Sequence, residues 1–397
     1  MINNSSRHYD IVLVGSGVMG SAIAYNLIKQ DARLKIALVE KDKTFEKSST
    51  ILSDGNTRVQ FNLSANIKIS LYGLKVLETF AAEMRVEGQA PIDFSFRQQG
   101  NLFIIDEKGV ENAKSGVKTQ LEHGAEVKWL EPAQVQDIYP VFNPSSCTAG
   151  TFGPKDGTMS PLDILQGYRR KAIALGVYAI DGEVETFLQE GGQMQGVRLA
   201  SGDILKSPIV VNTAGVWATD LLKAIGVNLP IKSIKRQVYS IASDAHYENI
   251  LPMLLLPTGQ YVLHEGGSHF VTGGASLDDP ETVTDFSWNK ERFEENFWEG
   301  LVHFIPSFDR LKVLNGWAGL YAVNHFDGNA ILGEWPEIKG LYLANGFSGH
   351  GFQQCHGVGR YIADTILGSS LELDLSILGP RRILDNAPVF ENPARLI

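Results

Sequence analysis

The chain has 397 residues, of which 44% are hydrophobic and 20% charged, with a net charge of −10. This is more than one ordinary core holds, so two domains are expected, and the balance suits a globular protein in water. The acidic excess, with no basic run to offset it, excludes a nucleic-acid footprint, and apolar runs such as Met253 to Leu256 are far shorter than the ~20 residues of a membrane span.

The first residues, Met1 to His8, have no apolar signal core, so no secretory leader is expected. Two cysteines, Cys147 and Cys355, fit a reducing, cytoplasmic compartment without a disulfide framework. No Cys/His cluster has zinc spacing, so no metal is expected. Peripheral attachment to a membrane is compatible with this composition.

Asp10 to Val14 reads as a buried strand, followed by Gly15-Ser16-Gly17-Val18-Met19-Gly20, a helix from Ser21 to about Gln30, and a second strand from Lys35 to Val39 closing on Glu40. The three glycines stand at G-x-G-x-x-G spacing: the first for a tight turn, the second for close approach to a pyrophosphate, the third for helix–strand packing. The helix N-terminus offers free N–H groups to phosphate, and an acid about 20 residues on can hold a ribose hydroxyl. The unit binds a dinucleotide; a glycine loop in some other α/β turn is the competing reading.

Ser48 to Arg58 is dense in small and hydroxyl residues, either a solvated loop or a segment close to a ligand. A helix is expected from Ala65 to about Met84, strand signals from Phe94 to Ile105, and a helix from Val110 to His123. Pro140 to Gly157 reads as a crossing between domains. Ser160-Pro161 opens a helix to about Leu175. Short strands follow, and Ile209 to Asn212 with Thr213-Ala214-Gly215-Val216-Trp217 returns to the nucleotide domain. Residues 226 to 315 are strand-rich, with one long helix near Asn289 to Phe304. Leu341 to Asn345 is a strand, Gly346 to Gly351 a turn, and Phe352 to about Leu367 a helix.

The expected fold is α/β: a discontinuous Rossmann-type domain (1–93, 158–225 and 316–385) with a sheet-rich substrate domain (94–157 and 226–315). A crevice between such domains is where pockets form. The late turn, Gly346-Phe347-Ser348-Gly349-His350-Gly351, directs a helix N-terminus at something anionic. A reduced flavin is anionic near N1 and needs such a partner, whereas a nicotinamide does not, so FAD is preferred over NAD. A tight packing turn is the plainer alternative.

Carried by these segments and by Trp317-Ala318-Gly319-Leu320-Tyr321 with Asp327-Gly328, the chain resembles the FAD-dependent amine and amino-acid oxidoreductases of the D-amino-acid-oxidase superfamily. Within it, the sarcosine oxidase, glycine oxidase and dimethylglycine dehydrogenase branch is the nearest likeness. Ser49 to Gln60, Trp317 to Tyr321 and Gln353-Gln354 also resemble a mitochondrial FAD-oxidoreductase-domain family linked to respiratory complex I assembly. The resemblance implies that Gly15, Ser16, Gly17, Val18, Met19 and Gly20 hold the FAD pyrophosphate, and that Glu40 with Lys41 meets the ribose side. It places Ser49, Thr50, Ser53, Gly55 and Asn56 at the phosphates and ring, Val184 at the adenine, and Ala214, Gly215 and Trp217 along the adenosine. Gly319 and Gly346, Phe347, Ser348, Gly349, His350, Gly351 and Gln353 then border the flavin.

Gly319 stands where monomeric sarcosine oxidases carry the cysteine bonded to flavin, which implies non-covalent FAD. Gln353 replaces a lysine that helps bind substrate carboxylate, and Val271 is matched to the lysine that activates oxygen; losing a cation there weakens the oxidase reading. Arg58 is the candidate for holding a carboxylate, against a structural salt bridge or an FAD contact. His350 is a catalytic candidate, against a backbone-only contact. Tyr261, Tyr321 and Gln353 are substrate candidates. The reading is oxidation of an amine or α-amino acid, sarcosine- or glycine-like, by hydride transfer to flavin N5, giving an imine that hydrolyses. Electrons pass to O2 or a quinone-type acceptor. A flavin-binding assembly protein with little turnover and an NAD-dependent dehydrogenase are the alternatives.

Overall fold

The computed structural model describes residues 6–391. Its centre is a six-stranded sheet in the order Ile331–Glu334, Leu341–Asn345, Ile209–Asn212, Ile11–Val14, Ile36–Glu40 and Tyr178–Asp181. All neighbours are parallel except the first pair. Ile11–Val14 is buried along its whole length, as an inner parallel strand covered on both faces must be. Its side chains alternate between two cores. Ile11 and Leu13 face helices Val18–Gln30, Pro161–Ala174 and Gly351–Leu367. Val12 and Val14 face a core shared with Phe187, Met194 and Val197. Those three come from a four-stranded sheet of Ser6–His8, Ile204–Lys206, Gln193–Leu199 and Val184–Glu190. Gly359 lets the last long helix lie on the first: a Cβ there would sit 2.9 Å from the Ala22 Cβ.

A seven-stranded sheet stands beside this unit, in the order Lys312–Asn324, Ile231–Tyr247, Gln260–Gly274, Met253–Leu255, Asn101–Ile105, Ala149–Gly153 and Lys128–Leu130. Tyr239, Ile241 and Phe270 on its strands pack with Phe293, Leu301 and Phe304 from the covering helices. Four expectations change. The single helix from Asn289 to Phe304 is two, Lys290–Asn296 and Trp298–Phe304, broken at Phe297 where the ring turns in to pack 5.8 Å from Tyr239. The helix expected from Ala65 to Met84 divides into Ser64–Leu77 and Phe80–Glu83. The Pro140–Gly157 crossing contains Ala149–Gly153, an inner strand of the large sheet. Residues 316–324, expected with the nucleotide unit, also lie in that sheet: Arg236 pairs with Gly319 and Ile234 with Tyr321. This long strand passes beside the late glycine turn, where the Ser348 N–H donates to the Ala322 carbonyl at 3.0 Å.

Candidate active site

Two neighbouring cavities share the walls Ser53, Tyr321, Ser348, Gly349 and Phe352. The larger, about 520 Å³, runs from the first glycine loop to the late one. Gly15 has φ +99, and a Cβ on it would lie 2.6 Å from the Thr213 carbonyl oxygen. Gly20 packs so closely that its Cβ would be 2.0 Å from the Gly15 carbonyl oxygen. Thus Gly20 and the buried Ser16 shape the loop from behind, while Gly15, Gly17, Val18 and Met19 line the cavity. Glu40 is fixed at its strand end: Oε2 accepts the Ser16 N–H at 2.8 Å and Oε1 the Asp42 N–H at 3.0 Å. Lys41 lies with its Nζ 3.7 Å from the Trp217 ring centroid, and both residues border the cavity.

The Ser48–Asp54 loop is tied to the long strand by Ser49 Oγ donating to the Leu320 carbonyl (2.8 Å) and Trp317 Nε1 to the Leu52 carbonyl (3.1 Å). This brings Ser49, Thr50, Ser53 and Gly319 to the larger cavity, with Val184, Ala214 and Gly215 also on its wall. At the far end Gly346 (φ +70), Ser348 (φ +50) and Gly349 (φ +96) turn the chain from strand into helix. Gly346, Phe347, Ser348, Gly349 and Gly351 all line the cavity. Asn345 lines it too, and both its Nδ2 and Oδ1 are buried without a hydrogen-bond partner. Such an orphaned amide calls for a polar ligand, and together with the two close-backbone turns it fits a dinucleotide with a polar ring system. Gly55 borders neither cavity: its Cβ would meet the Met159 carbonyl at 2.0 Å, so it is a packing glycine.

The smaller cavity, about 340 Å³, gathers Arg58, Tyr261, Tyr321, His350 and Gln353, all the residues expected to meet substrate or do chemistry. Asn56, expected at the cofactor, is here as well. Arg58 is 6% exposed. Its Nη2 lies 2.9 Å from His350 Nε2, its guanidinium faces the Phe61 and Phe103 rings, and its Nε has no partner. No carboxylate pairs with it among the described residues, although Asp156, Asp54 and Glu391 act on it at longer range. Its backbone N–H is held by Gln353 Oε1 at 2.9 Å. Burial, then the Arg58 charge, drives the His350 pKa down to about 3, so the ring is neutral and accepts from the guanidinium. Burial keeps Tyr261 and Tyr321 as phenols, the latter pushed up to about 12.

Sequence reasoning missed Asp54, Arg236, Gln237 and Glu391 on this wall. Asp54 stood inside the Ser48–Arg58 run, next to Gly55, and was the legible one. Arg236 and Gln237 open a strand at a domain crossing, where the sequence alone favours a structural role. Arg236 lines the cavity while pairing with Asp279. Gln237 Oε1 accepts the Asn289 N–H at 2.9 Å. Val271, matched to an oxygen-activating lysine, borders neither cavity: it packs beside Phe103 and Leu263. The cations that do border the smaller cavity are Arg58 and Arg236. His264 points away, accepting the Leu251 N–H in the core. Cys355 is fully buried on the core face of the last long helix, Gly351–Leu367. Among the described residues no group of acidic, His or Cys side chains is set to hold a metal, and no helix is long and apolar enough to cross a membrane.

The FAD dependent oxidoreductase family, DAO, matches residues 10–365. FAD-dependent oxidoreductase domain-containing protein 1 of Xenopus laevis is 31% identical over 418 residues, covering 96% of this chain and 84% of that protein. Sarcosine oxidase subunit beta from an Arthrobacter species is 27% identical, covering 91% of this chain and 87% of that one. The crystal structure of L-proline dehydrogenase from P. horikoshii superposes with a TM-score of 0.84 at 27% identity, covering 97% of this chain and 100% of that one. The chain therefore belongs to the DAO family of FAD-dependent oxidoreductases, and its cofactor is FAD.

Proposed function

We propose that this protein oxidises an amine or α-amino acid, sarcosine- or glycine-like, with FAD bound non-covalently in the larger cavity and the substrate in the smaller one. The observation that carries this reading is Arg58: a buried guanidinium without a carboxylate partner, beside the cofactor cavity. A buried cation is costly until an anion meets it, and a planar fork of N–H donors suits a carboxylate. FAD held there would supply the two-electron acceptor for oxidation of the carbon beside the substrate nitrogen, to an imine that hydrolyses in water.

The protein's own residues bind and orient. Arg58 holds the carboxylate, and His350 is a positioning residue that fixes the guanidinium through its ring nitrogen. Gln353 anchors the Arg58 backbone, so its place is behind Arg58. Tyr321, a buried phenol, presents its hydroxyl to the bound molecule, while Tyr261 on the same wall donates to Asp54. Glu40 takes the ribose, and the Gly15–Met19 turn with the following helix start takes the pyrophosphate. No cysteine borders either cavity among the described residues, which supports a cofactor held without a covalent bond. Two free thiols also suit a reducing, cytoplasmic setting. The terminal acceptor is dioxygen or a quinone-type carrier, and oxygen consumption during turnover distinguishes them.

The test is anaerobic titration of the yellow protein with a panel of secondary, tertiary and primary amines and amino acids, following loss of the flavin's visible band. Bleaching by N-methylated or small α-amino acids is expected. Flavin that no member of the panel reduces would overturn the reading and leave a binding or assembly protein. Acid precipitation should release the flavin into the supernatant.

A further inference from the structure

The smaller cavity contains a second charged group whose setting differs from every other carboxylate around it. Asp54 lines the wall at the junction with the cofactor cavity, next to Ser53, which borders both. Oδ1 accepts the Asn56 N–H at 3.3 Å, and the Tyr261 hydroxyl donates to the carboxylate. No cation pairs with Asp54 among the described residues. The other two acids on this wall are already engaged. Asp327 is held by Arg382, and Glu391 by the N–H groups of Asn62 and Leu63. The remaining titratable groups are poor proton acceptors. His350 is neutral but faces the Arg58 guanidinium, and Tyr261 and Tyr321 carry their protons.

An α-amino acid enters such a site as a zwitterion. Arg58 meets its carboxylate, and its ammonium then needs an anion within the same cavity. An ammonium also has no lone pair with which to form a C=N bond, so a proton must leave before hydride can. We propose that Asp54 binds the substrate ammonium and accepts its proton, making the amine neutral for oxidation; this rests on the amine-oxidation reading above. In this step an N–H bond breaks, its electron pair stays on nitrogen, and the proton joins an Asp54 carboxylate oxygen. The nitrogen lone pair then forms the C=N bond as the neighbouring carbon gives up hydride, two electrons and a proton together, to FAD. Burial raises the Asp54 pKa, chiefly through desolvation, which makes the carboxylate a stronger base than it is in water. Charged or titratable groups facing it are Arg58 on its own segment, Arg236 and Tyr261 on the large sheet, Tyr321 on the long strand and His350 from the late turn.

The test compares the holoenzyme with Asp54→Asn, which keeps the side-chain oxygen facing the Asn56 N–H. Binding is read from the shift of the flavin's visible spectrum on adding propionate, a carboxylate without an amine, or an amino acid. Reduction is followed anaerobically against pH. The variant should bind propionate within a few-fold of the parent but amino acids about 10- to 100-fold more weakly, as for loss of a charged hydrogen bond. Its reduction rate should rise only at higher pH, where the free amine exists without help. Tyr261→Phe removes the donor to Asp54 and should move the same pH profile by a smaller amount. Asp54→Asn with unchanged amino-acid affinity and an unchanged profile overturns the proposal. If no amine or amino acid reduces the parent flavin, the amine-oxidation reading fails separately. Asp54 is then judged by binding alone: loss of discrimination between amino acid and propionate in Asp54→Asn supports it, and retained discrimination overturns it.

Discussion

Arg58 and Arg382 are each 6% exposed, and their surroundings are opposite. Arg382 is fully used. Its Nε and Nη2 grip both oxygens of Asp327 at 2.7 and 3.2 Å, and its remaining N–H groups reach the carbonyls of Asn329, Ala330, Leu378 and Gly379. Asp327 in turn accepts from Asn324, Asn329 and Val389. Arg58 has a neutral imidazole, two aromatic faces and an unpartnered Nε. The first arrangement closes on itself and holds chain segments together. In the proposed reading, the second is completed by an anion from outside. Burial of a charge says little about its role; the number of partners left open says more.

The largest effect expected from this contrast is on stability. Arg382→Met leaves Asp327 buried without its cation and should cost about 3–5 kcal/mol, read as a lower urea midpoint. An unchanged midpoint would remove the structural half of the comparison. Arg58→Met should behave the other way. Folding stability should hold or rise slightly, because a buried charge without a partner is removed. Once the reducing substrate is known, kcat/KM should fall about 30- to 5,000-fold, corresponding to about 2–5 kcal/mol for a buried charged contact. Loss of stability with normal turnover in Arg58→Met would make Arg58 a second Arg382.

Only one side of this contrast was legible in the sequence. Gly15, Gly20 and Glu40 announce themselves because the backbone approaches they permit leave few residue choices at fixed spacing. Arg58, Tyr261, Tyr321, His350 and Gln353 were drawn together by family likeness, and the fold brings them to one cavity from distant segments. The neighbours that set their chemistry were hidden. Arg236 reaches the wall through a strand register in which it pairs with Gly319, and no local pattern encodes that pairing. Val271 packs beside Phe103 and Leu263 and reaches neither cavity, a placement set by the pairing of the large sheet that its local sequence does not encode. Phe297 broke a helix for a tertiary reason, the burial of its ring against Tyr239, that propensity does not contain.

The imidazoles near these networks give the comparison a pH signature. The pKa of His350 falls to about 3 and that of His356 to about 4, both chiefly through burial, from an ordinary value of 6.5. Between those values and 6.5 the unfolded chain binds more protons than the folded one, so each histidine makes stability rise with pH, by at most about 1.4 kcal/mol per unit. Asp156, raised by burial from 3.8 to about 7, works in the opposite direction across its own window. From about pH 4 to 6.5 the rising contributions of His350, His356 and His264, all lowered by burial, meet falling ones from Asp156 and Asp54, both raised by burial, and a small net rise is expected. Urea midpoints at pH 5 and pH 6.5 measure it. His350→Asn should flatten the rise, while a slope that persists would show that the imidazole facing Arg58 is charged in the folded state.

The smallest effect concerns the tail that joins the two arginines' surroundings. Val389 donates to Asp327, Phe390 lines the smaller cavity, and Glu391 accepts the N–H groups of Asn62 (2.7 Å) and Leu63 (3.2 Å) just before helix Ser64–Leu77. Glu391 thus acts as a capping carboxylate borrowed from the far end of the chain, and it also lowers the positive potential felt at Arg58. Glu391→Gln keeps an acceptor but removes the charge. It should cost about 0.5–2 kcal/mol in tail docking, visible as faster amide exchange at Asn62 and Leu63. It should also tighten propionate binding at Arg58 by a few-fold, since an opposite charge nearby is worth on the order of 1 kcal/mol at intermediate dielectric. Weaker propionate binding with faster exchange would mean that the tail acts as a wall of the cavity more than as a counter-charge, and that Arg58 is less open to an outside anion than its missing partner suggests.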